Sequence, residues 1–383
     1  MDVKNKLRWS TAAFFFLSGI VSSTWSSRIP DIQRQLHLSN AELGGVLFAI
    51  SAGLVVALPV SSWLIARYSS VKMMTVSTIG FAIIISLLAI APNVLWLVVL
   101  LFFFGATRNL LSMAANTNSL EIQIFYKKPI IATFHGIWSM ACFAGIAIGA
   151  FMISKRVTPF WHFLIIGMLT VAGAVIFKRK KRKPSITSEK KAFFVKPDRY
   201  LFVLGLIAFC SMFCESCMFD WSINYYEKVI RADKDYVTFG YSSFIIMMTI
   251  GRLTGDKFIA LLGSVTILWI NGLLMAAGCI IVIGFPSVWL ASIGFLLIGW
   301  GSSIIVPVVY SLAGKSTKVT AGYAIASVTL VGYIGFLSSP LIVGALSESF
   351  GMQAAFGVLI VMSLAISVLA IGLKYGWWLK RLV

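Results

Sequence analysis

Residues 178–199 read KRKKRKPSITSEKKAFFVKPDR. The stretch is basic and holds Pro184 and Pro197, so it suits a solvated connection and not a membrane span. Apolar windows of helical length flank it on both sides. Before it they fall at 9–29, 42–66, 71–91, 94–119, 129–153 and 158–177. After it they fall at 200–226, 237–261, 264–284, 287–313, 320–346 and 351–378. A helix that crosses a bilayer needs about 20 such residues. A barrel would show alternating strands of about 10 residues, and these runs are longer and continuous. The fold class expected is an all-α membrane protein with twelve transmembrane helices. They form two six-helix halves, 1–177 and 200–383, joined by the linker 178–199.

Composition agrees. Hydrophobic types make up 59% of the 383 residues and charged types 12%. A soluble domain carries about 25% charged residues. A soluble enzyme, a disordered chain and a fibrous protein are excluded, and no length remains for an ATPase module. Five cysteines all lie in apolar runs, which argues against a secreted disulfide framework. The first apolar run lacks a small-residue cleavage pattern and is expected to be a span, not a cleaved signal. The net charge of +19 lies mostly on one side. With the N-terminus inside, the termini and even-to-odd loops carry 24 of the 32 Lys and Arg residues, and the opposite loops carry seven. This bias predicts cytoplasmic termini and accounts for the charge without nucleic acid. Anionic lipid headgroups are a possible partner at Lys178–Lys183.

Several stretches carry a resemblance: RIPDIQRQLHLSNAELG (28–44), FHGIWSMACFAG (134–145), CESCMFDWSINY (214–225), TIGRLTGDKF (249–258) and GYIGFLSSPLIVG (332–344). Together with the two halves and the basic central loop, they resemble the major facilitator superfamily. Within it they are similar to the branch of the rhizopine-locus membrane protein and related bacterial inner-membrane proteins. The resemblance implies secondary transport by alternating access, in a bacterial plasma membrane. It also implies a central cavity lined by the first, fourth, seventh and tenth helices.

Departures from the family pattern are specific. The loop after the second span resembles G-x-x-x-D-R-x-G-R in relatives. Here it reads SWLIARYSS, with Arg67 kept and Ala66 at the acid's place. The second copy, around Arg252, keeps Gly255, Asp256 and Lys257, so a cytoplasmic charge latch is expected there. In the fourth span, Ser112 stands where relatives resemble D-V-A-M-N. Gly136, Gly145 and Gly149 match the start of an exporter motif, but Ala150, Ile153 and Ser154 depart from its end. Gly145 and Gly149 also suit simple close packing of two helices. His135 begins His-Gly-Ile-Trp and is either a titrating gate residue or a structural donor.

Charges inside spans are costly, so each is a functional candidate. Three are placed deep: Arg108, Glu215 and Asp220. Arg108 and Glu215 are expected at similar depth, pairing or exchanging partners across the cavity. Glu215 is the proposed proton carrier and Asp220 the second candidate. Glu215 and Asp220 have a structural alternative, fixed bonds, with Asp220 pinning the outer end of its helix. Arg108 has a functional alternative, binding a substrate anion.

Polar and aromatic residues on the lining helices complete the expected site. They are Ser18, Ser22 and Trp25; Asn116 and Asn118; Trp221 and Asn224; Trp300, Ser303 and Tyr310. Rings and amides of this kind suit a sugar-, polyol- or amino-sugar-like solute. Cys210, Cys214 and Cys217 share a helix face, but small buried thiols explain them better than a metal does. No cofactor is expected beyond the coupling proton, and no nucleophile–base constellation suggests an enzyme. A monomer suffices. The alternatives are a proton-antiport exporter of amphipathic compounds and, from another class, a non-transporting receptor or scaffold.

Overall fold

The computed structural model describes residues 3–126, 130–178, 198–316, 319 and 321–376. The basic stretch beyond Lys178 lies outside them, and so does most of the expected lipid site at Lys178–Lys183. Every regular element among the described residues is helical. In order they are α1 Val3–Gln35, α2 Asn40–Tyr68, α3 Ser70–Leu88, α4 Val94–Gln123, α5 Ile131–Ser154 and α6 Pro159–Ile176. Then come α7 Arg199–Lys228, α8 Phe239–Leu262, α9 Ser264–Gly284, α10 Val288–Ser302, α11 Ile305–Ala313, α12 Ala321–Phe350 and α13 Met352–Lys374.

Local sequence sets several helix starts. The side chains of Asn93, Asp198 and Ser287 accept the backbone N–H groups of Trp96, Leu201 and Leu290 at the openings of α4, α7 and α10. Each cap satisfies a donor that a first turn leaves open. Pro159 opens α6, where its missing N–H costs nothing.

Taking α10 and α11 together, ten helices among the described residues are long and apolar enough to cross a membrane. Of the long helices, α1 and α8 are outside that set. Hydroxyl residues dilute α1, but they bond its own backbone: Ser22 donates to the Ser18 carbonyl at 2.9 Å and Ser23 to that of Gly19 at 2.9 Å. In α8, Arg252, Asp256 and Lys257 follow in close succession.

One expected helix is two. The window 287–313 reads as a single span, yet α10 ends at Ser302 and α11 starts at Ile305. Pro307 is the local cause. It has no N–H, so the Ser303 carbonyl four residues earlier lacks a helical donor.

The chain divides into two compact units, Met1–Ser39 with Gly45–Ser188, and Asn40–Gly44 with Glu189–Val383. Each uses the same pairing scheme. In the first, α1 lies along α5, and α3 packs on α4 and α6. In the second, α7 lies along α12, and α9 packs on α10 and α13. The junctions repeat as well. Ser69 before α3 has φ 84° and ψ 150°, and Gly263 before α9 has φ 81° and ψ 153°. The second core is closed by Tyr225, which donates to the Val282 carbonyl at 3.0 Å, and by Tyr226, bonded to the Ser292 hydroxyl at 2.7 Å. Satisfying these hydroxyls lets both rings sit fully buried.

Candidate functional site

A carboxylate in an apolar helix needs a partner. Glu215, midway along α7, has one in Arg252 of α8, with Nη2 3.8 Å from Oε1. Both side chains are partly covered, Glu215 at 13% exposure and Arg252 at 29%. The same guanidinium reaches the helix break: its Nε donates to the Ser303 carbonyl at 3.4 Å. Tyr310 of α11 is half-buried and stands near Glu215 and Thr329 of α12. One acid, one cation, a released carbonyl and a phenol thus come from α7, α8, the break after α10, and α11, all in one unit.

This corrects two expectations. Arg252, expected as part of a loop latch and counted among cytoplasmic loop charges, lies inside α8 and faces Glu215. Glu215 also has its ion pair within its own half. Arg108, half-buried on α4, makes no ion pair or hydrogen bond within its unit among the described residues. Asp220 faces elsewhere. The Ser216 hydroxyl lies 3.2 Å from both Asp220 Oδ2 and the Phe336 carbonyl of α12, so Asp220 is tied to the α7–α12 seam.

The expected lining residues divide by burial. Asn116, Trp300 and Tyr310 keep open surface. Asn116 Nδ2 donates to the Ser112 hydroxyl at 3.4 Å, and Trp300 meets Phe258 edge-on at 5.3 Å. The others are buried. Trp25 is in the core between Phe104 and Phe163, with ring centroids 6.2 and 6.3 Å away. Asn118 is buried as a clamp, accepting from Thr11 at 2.8 Å and donating to Ser70 and Glu121 at 3.4 and 3.2 Å. Trp221 and Asn224 are fully buried, Ser303 nearly so, and Ser18 and Ser22 are buried at 7% and 8% exposure. Helical spacing puts a residue on a face, but neighbouring helices decide whether that face meets water.

The first unit holds a buried cation that the sequence spacing did not single out. Arg28 is 3% exposed. Its Nη1 donates to Asp31 at 2.7 Å, its Nη2 to the Val157 carbonyl at 2.9 Å, and its Nε to His162 Nδ1 at 3.0 Å. Arg34 also pairs with Asp31. The available signal was position: Arg28 stands inside the first apolar window, and His162 is one of three histidines in the chain.

Among the described residues no group of three or more His, Cys, Asp or Glu is placed to hold a metal. Cys210, Cys214 and Cys217 are buried thiols outside any disulfide.

A sequence profile of the Major Facilitator Superfamily matches this chain in two overlapping stretches, residues 11–283 and 206–377. The chain belongs to the major facilitator superfamily. It is therefore a multi-pass membrane transporter, in a family of transporters and not of enzymes. Relatives include an uncharacterized transporter, y4wD, of Sinorhizobium fredii, 29% identical over 95% of this chain and 97% of its own length. The membrane protein MosC of Rhizobium meliloti is 26% identical over 94% of this chain and 89% of its own. Among solved structures, a bacterial homologue of the human lysosomal transporter Spinster superposes with a TM-score of 0.76 at 14% identity, covering 98% of this chain and 97% of its own. The nucleoside transporter NupG superposes with 0.77 at 12% identity, covering 97% and 99%. At such identities these structures speak for the fold alone.

The expected gating residues take definite places here. Arg67, beside Ala66, has no acid and stacks on Trp63 and Tyr68, 5.2 and 5.6 Å from the ring centroids. Asp256 and Lys257 are exposed near the end of α8. His135 is exposed, with Phe15 edge-on at 5.5 Å. Gly145 and Gly149 face α1, where an added Cβ on Gly145 would run into Ser23 Oγ and one on Gly149 would stand 2.6 Å from Ser27 Cβ. Close helix packing accounts for both glycines.

Proposed function

We propose that this major facilitator transporter couples movement of a small polar organic solute, sugar-, polyol- or amino-sugar-like, to movement of a proton. The observation that carries this reading is the Glu215–Arg252 pair, an ionisable couple inside the span region of one unit. Keeping an acid there is costly unless its charge is used. Protonation neutralises Glu215 and dissolves the pair; deprotonation restores it. Glu215 is the proton carrier, Arg252 its partner, and Asp220 a second acid with a positioning role. Arg108, uncommitted in its own unit, is the cation for an anionic or hydroxyl-bearing solute. Asn116, Trp300 and Tyr310 supply an amide, an apolar ring and a phenol for recognition. We place the protein in a bacterial plasma membrane with both termini cytoplasmic, working as a monomer. For the exporter alternative, packing of Gly145 and Gly149 against α1 accounts for the partial fifth-span motif without export.

The test uses purified protein in proteoliposomes with a pH dye inside. Polyols, amino-sugars, sugar acids and lipophilic cations are added singly to wild type and Glu215→Gln. Proton movement is expected with a polar solute class and is lost in Glu215→Gln. A signal confined to lipophilic cations would establish the exporter instead. Equal signals from the two proteins would remove Glu215 from the coupling step.

A further inference from the structure

We infer that Arg252 is a positioning residue that transmits the protonation state of Glu215 to the broken tenth span, through the carbonyl that Pro307 leaves free. The inference rests on Glu215 being the proton carrier and adds how its charge is felt by a moving part.

In an uninterrupted helix the Ser303 carbonyl would accept from the N–H of residue 307, and Pro307 has none. The next pair is intact, since Val308 N–H donates to the Ile304 carbonyl at 3.0 Å. The Ser303 hydroxyl does not help, because it donates back to the Trp300 carbonyl at 2.6 Å. The freed carbonyl is buried with its residue and would be left without a donor, which a membrane interior penalises. Arg252 Nε supplies one at 3.4 Å. Gly251 makes the approach feasible: an added Cβ there would collide with Ser303 Oγ, so only glycine lets α8 come this close.

The same guanidinium therefore has two duties. Its Nη2 faces the Glu215 carboxylate and its Nε holds the break. A planar fork presents separate donors to the two acceptors in fixed directions, whereas an ammonium is a single compact charge on a flexible stem. While Glu215 is charged, the cation is neutralised and stays between α7 and the break. Once Glu215 takes a proton, Arg252 is an uncompensated charge in a poorly hydrated place. Its 29% exposure gives it a route to water, and leaving costs the Ser303 carbonyl its donor. The segment 303–308 then loosens. Proton capture on α7 becomes freedom in α10 and α11 by way of Arg252.

The test needs no solute. Full-length protein in nanodiscs is titrated with protons alone. Two readouts are followed: the infrared band of the Glu215 carboxyl, assigned by its loss in Glu215→Gln, and amide hydrogen exchange over residues 303–308. Exchange is referenced to Glu215→Gln at each pH, so intrinsic exchange chemistry cancels. Wild type is expected to be protected about tenfold relative to Glu215→Gln when the carboxyl is ionised, and equal to it when protonated. Arg252→Lys should keep the carboxyl titration but lose the protection. Pro307→Ala should be protected at every pH, because alanine at that position supplies the missing N–H. Exchange that ignores a clear carboxyl titration, or a pH dependence that survives in Pro307→Ala, would overturn the inference while leaving Glu215 as the carrier. Absence of any carboxyl titration would instead defeat the proton-carrier reading on which it stands.

Discussion

Ser69 occupies a backbone conformation that belongs to glycine. Its φ of 84° and ψ of 150° match Gly263 at the equivalent junction of the second unit and Gly351 before α13. A side chain there strains the backbone by about 1–3 kcal/mol. The serine gains nothing in return, since its buried hydroxyl has no hydrogen-bond partner among the described residues. Ser69→Gly is therefore expected to stabilise the protein by about 1 kcal/mol, after allowing for glycine's greater unfolded-state freedom. Thermal unfolding in detergent should show a melting temperature higher by roughly 2 °C. A lower one would mean that the backbone is unstrained or the hydroxyl is used. The sequence already hinted at this position, because Ser69 falls where the family loop has its second glycine. Backbone angles could not be seen there, and only the repeat of Gly263 shows what the serine is forced to do.

At the scale of elements, the α1–α6 corner is held by one buried guanidinium. Arginine only donates, so His162 Nδ1 must be bare and its proton must sit on Nε2. Replacing the ring with leucine would strand a charged donor in the interior. His162→Leu is expected to cost about 2 kcal/mol. His162→Asn places an amide oxygen near the Nδ1 position and should cost less than half as much. Thermal unfolding of the two variants side by side checks this, and equal losses would mean that ring packing, not the acceptor, matters at His162. The corner also shows why the site was only partly legible. Glu215 and Arg108 stood out because isolated charges in apolar runs are conspicuous. Arg28 and Arg252 sit near run ends, and a tally by loops assigned them to water. Asn118 and Trp25 shared the right helix faces, but spacing gives a face and not its neighbour. The pairing of α7 with α8, and of α4 with α1 and α3, is tertiary information.

At the scale of the whole molecule, the fold was readable because the bilayer restricts the choices. Continuous apolar runs of helical length admit helices and little else. What escaped was the broken tenth span, since a single Pro307 within an apolar run is compatible with either a bend or a break. The charge distribution leads to the last prediction. Moving Arg252 and Arg28 from loops into helices leaves the bias standing, because residues 178–199 alone hold ten Lys and Arg. A loop that basic resists translocation, whereas the 229–238 connection balances Arg231 and Lys234 against Asp233 and Asp235. Reporter fusions to the full chain distinguish the two orientations. Green fluorescent protein at the C-terminus should fluoresce, and alkaline phosphatase at the same place should be inactive. Alkaline phosphatase inserted after Asp233 should be active, since that connection is expected outside. Active phosphatase at the C-terminus would reverse the topology. It would also place the 178–199 loop outside, against the electrostatic preference of ten cations for the cytoplasmic face.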